Sequence, residues 1–385
     1  MREIKSEAKL TFLEATSIII GHSVGSGILS VPYLASRNSW RDIIFIIAGV
    51  YFINLIMHFM VAELSYNNNG SQFIKCIENE LFSGTVKKVV TWFAFALLGL
   101  SVISNVSGFI AGGSAVFEAW FGIPAWAGTI IYYALVSLVV LFGMKIVGIC
   151  EKVSVFAMVF VIGILFVAAI VGKHSDFNSK FIAGSNIVAL YSMVAFSLSA
   201  VMSVPQVVKG LNGDIRKIKS SIALGTGVNV LLIIVITLMT IMACGGNISQ
   251  NGALVDLSGA LGGWVGTIGF IFSLLALSTS FWANTLNLRD ILNEQVKWGT
   301  RVSFLAATVP CLIIALIGME TFVGFTRIAS VIQVATGIGV IVAYNRSRKR
   351  EGASPLCRSL GTLPFQIIVI ISSILSTVGA LAPVK

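Results

Sequence analysis

Charge is scarce in this chain of 385 residues. Asp, Glu, Lys and Arg make up 11% against 56% hydrophobic residues, and mean hydropathy is +0.94. That balance excludes an ordinary soluble domain, in which about a quarter of residues are charged. Cysteine is also sparse: Cys76, Cys150, Cys244, Cys311 and Cys357 stand apart with no CxxC pair, so neither a disulfide framework nor a thiolate metal site is expected. His22, His58 and His174 do not cluster with acids at ligand spacing, and no cofactor or enzymatic chemistry is expected.

What is abundant is apolar length. Runs near the roughly 20 residues that cross a bilayer recur at 11–35, 41–66, 86–118, 124–143, 147–172, 185–208, 219–244, 262–288, 299–319, 321–344 and 362–383. The expectation is an all-α polytopic membrane protein of eleven transmembrane helices. Apolar segments recur to the last residues, so no cleaved leader is expected.

The net charge of +10 is explained by placement. With a cytoplasmic N-terminus, twenty of the 26 basic residues fall on the inner side, and five (Arg37, Arg41, Lys173, Lys180 and Lys385) on the outer. This asymmetry predicts a multi-pass protein of the plasma membrane with its N-terminus cytoplasmic and its C-terminus extracytoplasmic. The lipid bilayer is the expected surrounding, and no nucleic-acid partner is required. Nothing in the sequence bears on oligomeric state.

"GILSVPYLASR" at Gly27 to Arg37 is answered 173 residues later by "AVMSVPQVVKG" at Ala200 to Gly210. The same offset carries spans two to five onto spans seven to ten. Five spans per half is an odd number, so the halves enter the membrane from opposite sides. The chain thus divides into a first inverted repeat at 1–172, a second at 173–345, and a basic loop with helix 11 at 346–385. Such five-plus-five architecture is a recurring basis of alternating access around a site near the bilayer midplane.

Both first helices of the repeats are expected to break midway. Gly21, Gly25 and Gly27 each weaken a helix by about 1 kcal/mol relative to alanine, and Pro32 follows. In span six Ser197, Ser199 and Ser203 can compete for backbone hydrogen bonds, and Pro205 removes a donor. Unpaired backbone at membrane depth persists only where protein, water or solute satisfies it. A half-helix starting near Gly25-Ser26-Gly27 offers amides and a positive dipole end to a carboxylate; carbonyls around Gly21 to Val24 and Phe196 to Ser199 suit an ammonium group or small cation. Glycine patches also let helices pack, and Gly21/Gly25 has that spacing; the matching break in span six favours a solute site.

At these residues the sequence resembles the amino acid–polyamine–organocation superfamily, with its leucine-transporter-like fold. "GSGILSVPY" in span one, "FSLS" before "VPQVVK" in span six, and "ALSTSFWANTLNLRDIL" at Ala276 to Leu292 are similar to its segments, the last to those of bacterial hydroxy and aromatic amino acid permeases. The resemblance implies that Gly25, Ser26 and Gly27 bind the substrate carboxylate, that Ser23, Phe196 and Ser199 meet its amino group, and that Phe196 helps close a pocket bordered by Ser197. It implies a coupling-cation site of Gly21, Val24, Leu275, Ser278 and Thr279. Sodium is favoured over a proton because span five lacks a mid-span lysine, while His22 is the candidate proton carrier.

Among other intramembrane polar groups, Asn105 is the expected pocket neighbour, while Trp282, Asn284 and Asn287 are read as packing between helices. Arg327 follows Glu320 by seven residues and is a candidate outer gate; pairing with Glu320 or Glu118 is the other reading. Glu14, Glu63, Glu151 and Lys152 are expected to pair structurally near the inner face. Asn67 to Phe82 reads as an interfacial helix, and Asn345 to Arg350 as a basic run against anionic lipid. The expected function is secondary active import of a neutral amino acid, aromatic ones included, coupled to a cation gradient. The alternative is an amino-acid-sensing receptor subunit, which spore germinant receptor membrane subunits of similar fold suggest.

Overall fold

Helices are the regular elements of the computed structural model, which describes residues 9–25, 27–81, 84–172, 186–245, 248–249, 253–318 and 337–382. The first predicted span is two helices, α1 (Phe12–Ser23) and α2 (Gly27–Ala35), whose axes meet at 54°. Then follow α3 (Trp40–Asn67), the short α4 (Phe73–Glu80), α5 (Gly84–Phe121), α6 (Ala125–Leu141) and α7 (Met144–Val171). The sixth span is α8 (Ile187–Leu198), a 3-10 turn (Val201–Ser203) and α9 (Val204–Gly210). It is followed by α10 (Ile215–Cys244), α11 (Ala253–Leu261), α12 (Trp264–Val296), α13 (Thr300–Ile317), α14 (337–348) and α15 (Leu363–Leu381).

Among the described residues, eight helices are long and apolar enough to cross a membrane, or nine if the bent α1–α2 pair is one span. The expected span four is α6, only 17 residues long. Most of the expected span ten, including Arg327, lies outside the described residues, as do Glu320 and Ser26. The short α11, packed on α10 and α12, has no counterpart among the predicted spans.

Span starts are fixed locally. The Thr11 hydroxyl accepts the Glu14 amide while the Glu14 carboxylate accepts that of Thr11, and Ser39 with Asp42 repeats this box at α3. The Asp214 carboxylate accepts the Arg216 and Lys217 amides at the head of α10.

The apolar interior falls into two main clusters. One holds Ile18 and Ile19, Ile56 and Met60, Val147, Ile222 and Phe281; the other holds Ile20 and Val24, Val50, Val155, Leu232 and Phe272. Between them the same helices carry polar residues: Asn54 on α3, Glu151 on α7, Thr226 and Asn229 on α10. A polar belt thus crosses the bundle at the level of both helix breaks.

Two expectations about charge need correction. Glu14 does pair with Lys145, at 2.6 Å, but Glu63 accepts the Cys357 backbone amide rather than a lysine. Among the described residues Glu151 pairs with nothing: the buried stripe of α7 (Val147, Gly148, Glu151, Ser154) turns it inward, while Lys152, one residue on, turns away. The basic run also reaches protein: Arg350 meets Glu80 at 3.0 Å and the Asn67 carbonyl, and Arg346 the Glu80 carbonyl. These contacts tie α14 to α4, whose Phe73, Ile74, Cys76 and Ile77 are buried.

Candidate functional site

A continuous helix would pair the Gly25 amide with the Gly21 carbonyl. Here that amide turns back to Ser23 O at 2.8 Å, so the Gly21 carbonyl loses its helical donor. The second break repeats the device. Ser199 N bonds to Phe196 O at 3.2 Å, and the amide of Ala200, next in line for that carbonyl, goes instead to His58 Nε2 at 3.0 Å. Because Nε2 accepts, the His58 proton sits on Nδ1 and faces Thr226 Oγ1 at 3.3 Å; Thr226 in turn donates to the Ile222 carbonyl.

Close packing sets the breaks against each other. A Cβ on Gly27 would stand 2.7 Å from Ser197 Oγ and 2.9 Å from the Phe196 ring, and one on Gly25 would stand 3.1 Å from Ser280 Oγ. Glycine is required at Gly27 because α2 rides directly on α8. The Ser197 hydroxyl bonds back to Met193 O at 2.8 Å and that of Ser23 to Ile19 O at 3.2 Å.

A cavity of about 150 Å³ opens at the breaks, some ten times the ~15 Å³ one water needs. His22, Ser23 and Gly25 line it from the first break, Phe196 and Ser199 from the second, and Asn105 from α5. Two polar atoms there are shielded and unpartnered among the described residues, Asn105 Oδ1 and Ser280 Oγ. Buried polar groups are nearly always paired, so such atoms mark where a solute or water belongs.

The expected cation residues are only partly assembled. Gly21 and Thr279 meet, with the Thr279 Cβ 3.0 Å from where a Gly21 Cβ would stand. Val24 is buried and Leu275 half-buried in the same apolar cluster. Ser278 shares a 3.4 Å hydrogen bond with Tyr132 on α6, while Thr279 donates to Ala276 O. His22 Nδ1 is 2.9 Å from Ser203 Oγ, which also receives Asn287 Nδ2 at 3.4 Å.

Several contributors do not stand out in the sequence. Asn284 lines the cavity, whereas Trp282 donates to Val136 O and serves packing as expected. Ser280 adjoins the Ser278/Thr279 pair on another helix face. Ser372, Ser373, Ser376 and Thr377 of α15 bring hydroxyls to the cavity from a span read as an appendage; "SSILST" in that span is the signal that could have found them. Tyr191 donates to Ser372, and Ser192 to the Ser376 carbonyl, fastening α15 to α8.

The tryptophan/tyrosine permease family model matches residues 8–379. Among solved structures the chain is similar to MhsT in complex with L-phenylalanine, with a TM-score of 0.71 at 15% identity, covering 98% of this chain and 100% of that one. It is similar also to Mhp1, a nucleobase-cation-symport-1 family transporter in a closed conformation with bromovinylhydantoin bound, with a TM-score of 0.67 at 13% identity, covering 97% and 92%. At these identities the likeness is one of fold. No curated protein matches the chain.

Proposed function

The chain belongs to the tryptophan/tyrosine permease family, and from that premise we propose that it imports a neutral amino acid, aromatic ones included, by alternating access coupled to a cation gradient, with sodium favoured over a proton. The observation that carries this reading is the cavity at the paired breaks, with Asn105 Oδ1 and Ser280 Oγ facing no protein partner among the described residues. Its size and mixed lining suit an amino acid, and MhsT, of the same fold, is known in complex with L-phenylalanine.

In this reading the N-terminus of α2 orients the substrate carboxylate by its dipole and free amides. Carbonyls of the broken segments and the Asn105 amide oxygen receive the ammonium group, and Phe196 covers the side chain. Mechanistically, Gly21, Val24, Leu275, Ser278 and Thr279 would supply the cation's oxygens; the Gly21 carbonyl, freed of its helical donor, fits that role. A bound cation supplies electrostatic coupling between α1 and α12. In the same reading the chain crosses the plasma membrane eleven times from a cytoplasmic N-terminus, as a five-plus-five inverted repeat over 1–172 and 173–345 with 346–385 appended.

Purified protein in vesicles is expected to accumulate labelled phenylalanine, tyrosine or tryptophan when an inward sodium gradient is imposed, and to do so less or not at all with potassium. Failure to accumulate any neutral amino acid under either a sodium or a proton gradient would overturn the reading.

A further inference from the structure

Glu151 is 0% exposed, about 10 Å along α7 from its start, and neither carboxyl oxygen has a hydrogen-bond partner among the described residues. Glu14 holds Lys145, Glu80 holds Arg350, and Glu63 accepts an amide. What Glu151 faces is the end of α1: a methyl on Gly21 would collide with its Oε2, and Thr279 borders the same point. Gly148 on α7 makes the matching allowance, with Leu10 and Glu14 seated against it. The two helices therefore run side by side close enough to place the carboxyl at the loosened turn.

A buried carboxyl group with no partner either takes up a proton or, as a carboxylate, persists beside a positive charge. Among the described residues no side chain provides one. On α1, His22 is turned to Ser203 and Glu14 is tied to Lys145. On α7, Lys152 is on another face. α10 carries no titratable residue between Lys219 and Cys244. On α12, Arg289 is ten residues beyond Thr279 and held by Asp290 and Val140 O. From α6, Tyr132 meets Ser278 and Tyr133 meets Thr308.

We propose that Glu151 is the charged ligand of the coupling-cation site, where its carboxylate, the Gly21 carbonyl and the Thr279 hydroxyl hold one sodium ion between α1, α7 and α12. This rests on the transport reading above and adds a residue from span five to a site expected only from spans one and eight. It also gives a reason for coupling. α1 ends at Ser23 with the negative end of its dipole near Glu151. With the cation present the two negative groups are bridged; without it they repel, and α1 is released from α7.

The test is thermal unfolding of the purified full chain in sodium chloride, against potassium or choline chloride at equal ionic strength, with and without phenylalanine, for wild type, Glu151→Gln and Glu151→Asp. Wild type is expected to gain stability from sodium alone. Glu151→Gln is expected to be at least as stable without sodium and to lose the sodium response, its apparent affinity falling by about a hundredfold or more, beyond the 10–100-fold typical of an outer-shell partner. Should Glu151→Gln not fold, Glu151→Asp, which keeps the charge but shortens its reach, must show weakened sodium affinity.

An unchanged sodium response in both variants would overturn the assignment. So would a wild type indifferent to sodium whose phenylalanine binding instead follows pH in a manner lost in Glu151→Gln, since the carboxyl would then carry a proton. Absence of any amino-acid response in wild type would count against the transport reading itself, whereas intact amino-acid binding with an unaltered sodium response removes only Glu151.

Discussion

His58 accepts the Ala200 amide at 3.0 Å, and so a side chain of α3 completes the backbone of the broken sixth span from 142 positions away. Both residues are fully buried. Replacing His58 with alanine leaves that amide without a partner, at a cost of about 1–3 kcal/mol. A lower Tm is expected, with weaker amino-acid binding because Ser199 and Phe196 lose their fixed positions. Thermal unfolding and equilibrium binding measured on one preparation check both.

Asn105 should behave in the opposite sense. Its Oδ1 is buried and unpaired among the described residues, so Asn105→Leu removes an unsatisfied acceptor. Stability is expected to stay level or rise, while affinity for the amino acid falls by about tenfold, the equivalent of 1.4 kcal/mol. A fall in both would make Asn105 a structural residue.

Gly27→Ala places a Cβ 2.7 Å from Ser197 Oγ and 2.9 Å from the Phe196 ring. Overpacking of this kind costs about 1–3 kcal/mol. Uptake is expected to fall sharply, and Ser197→Gly added to Gly27→Ala is expected to restore only part of it because the ring contact remains. Initial uptake rates of the single and double variants give the comparison.

At the head of α10 the backbone hydrogen bond from Lys217 holds the Asp214 carboxyl below its usual 3.8, with the Lys217 side chain adding to the effect. A depressed value means that the charged cap contributes stability above pH 3.8 and loses it as pH falls through the lower folded-state value. Asp214→Asn keeps a capping oxygen without the charge. Its Tm is expected to lie slightly below wild type near neutral pH and to converge with it in acid.

The two breaks are legible in the sequence because glycine, serine and proline interrupt apolar runs that otherwise permit only helix, and the breaks of α1–α2 and α8–α9 lie where those residues stand. The roles of Glu151 and His58 are not. Glu151 precedes Lys152 near a loop expected on the inner side, and only the rotational phase of α7 shows that the acid turns toward the bundle while the lysine turns away. His58 depends on a partner in another span, which local pattern does not reveal. The hydroxyls of α15 escape notice for a third reason: a span expected to lie outside the repeat has no symmetry mate in the sequence to draw attention to it.

The two apolar clusters, divided by a polar belt at mid-depth, have a mechanical consequence. Disrupted packing in one cluster leaves the distant other nearly untouched, since well-separated interactions are close to additive. In the proposed alternating-access cycle either end of the bundle would therefore loosen while its opposite stays shut, with the belt as the fulcrum: the level at which the helices are already broken is the one about which they would tilt.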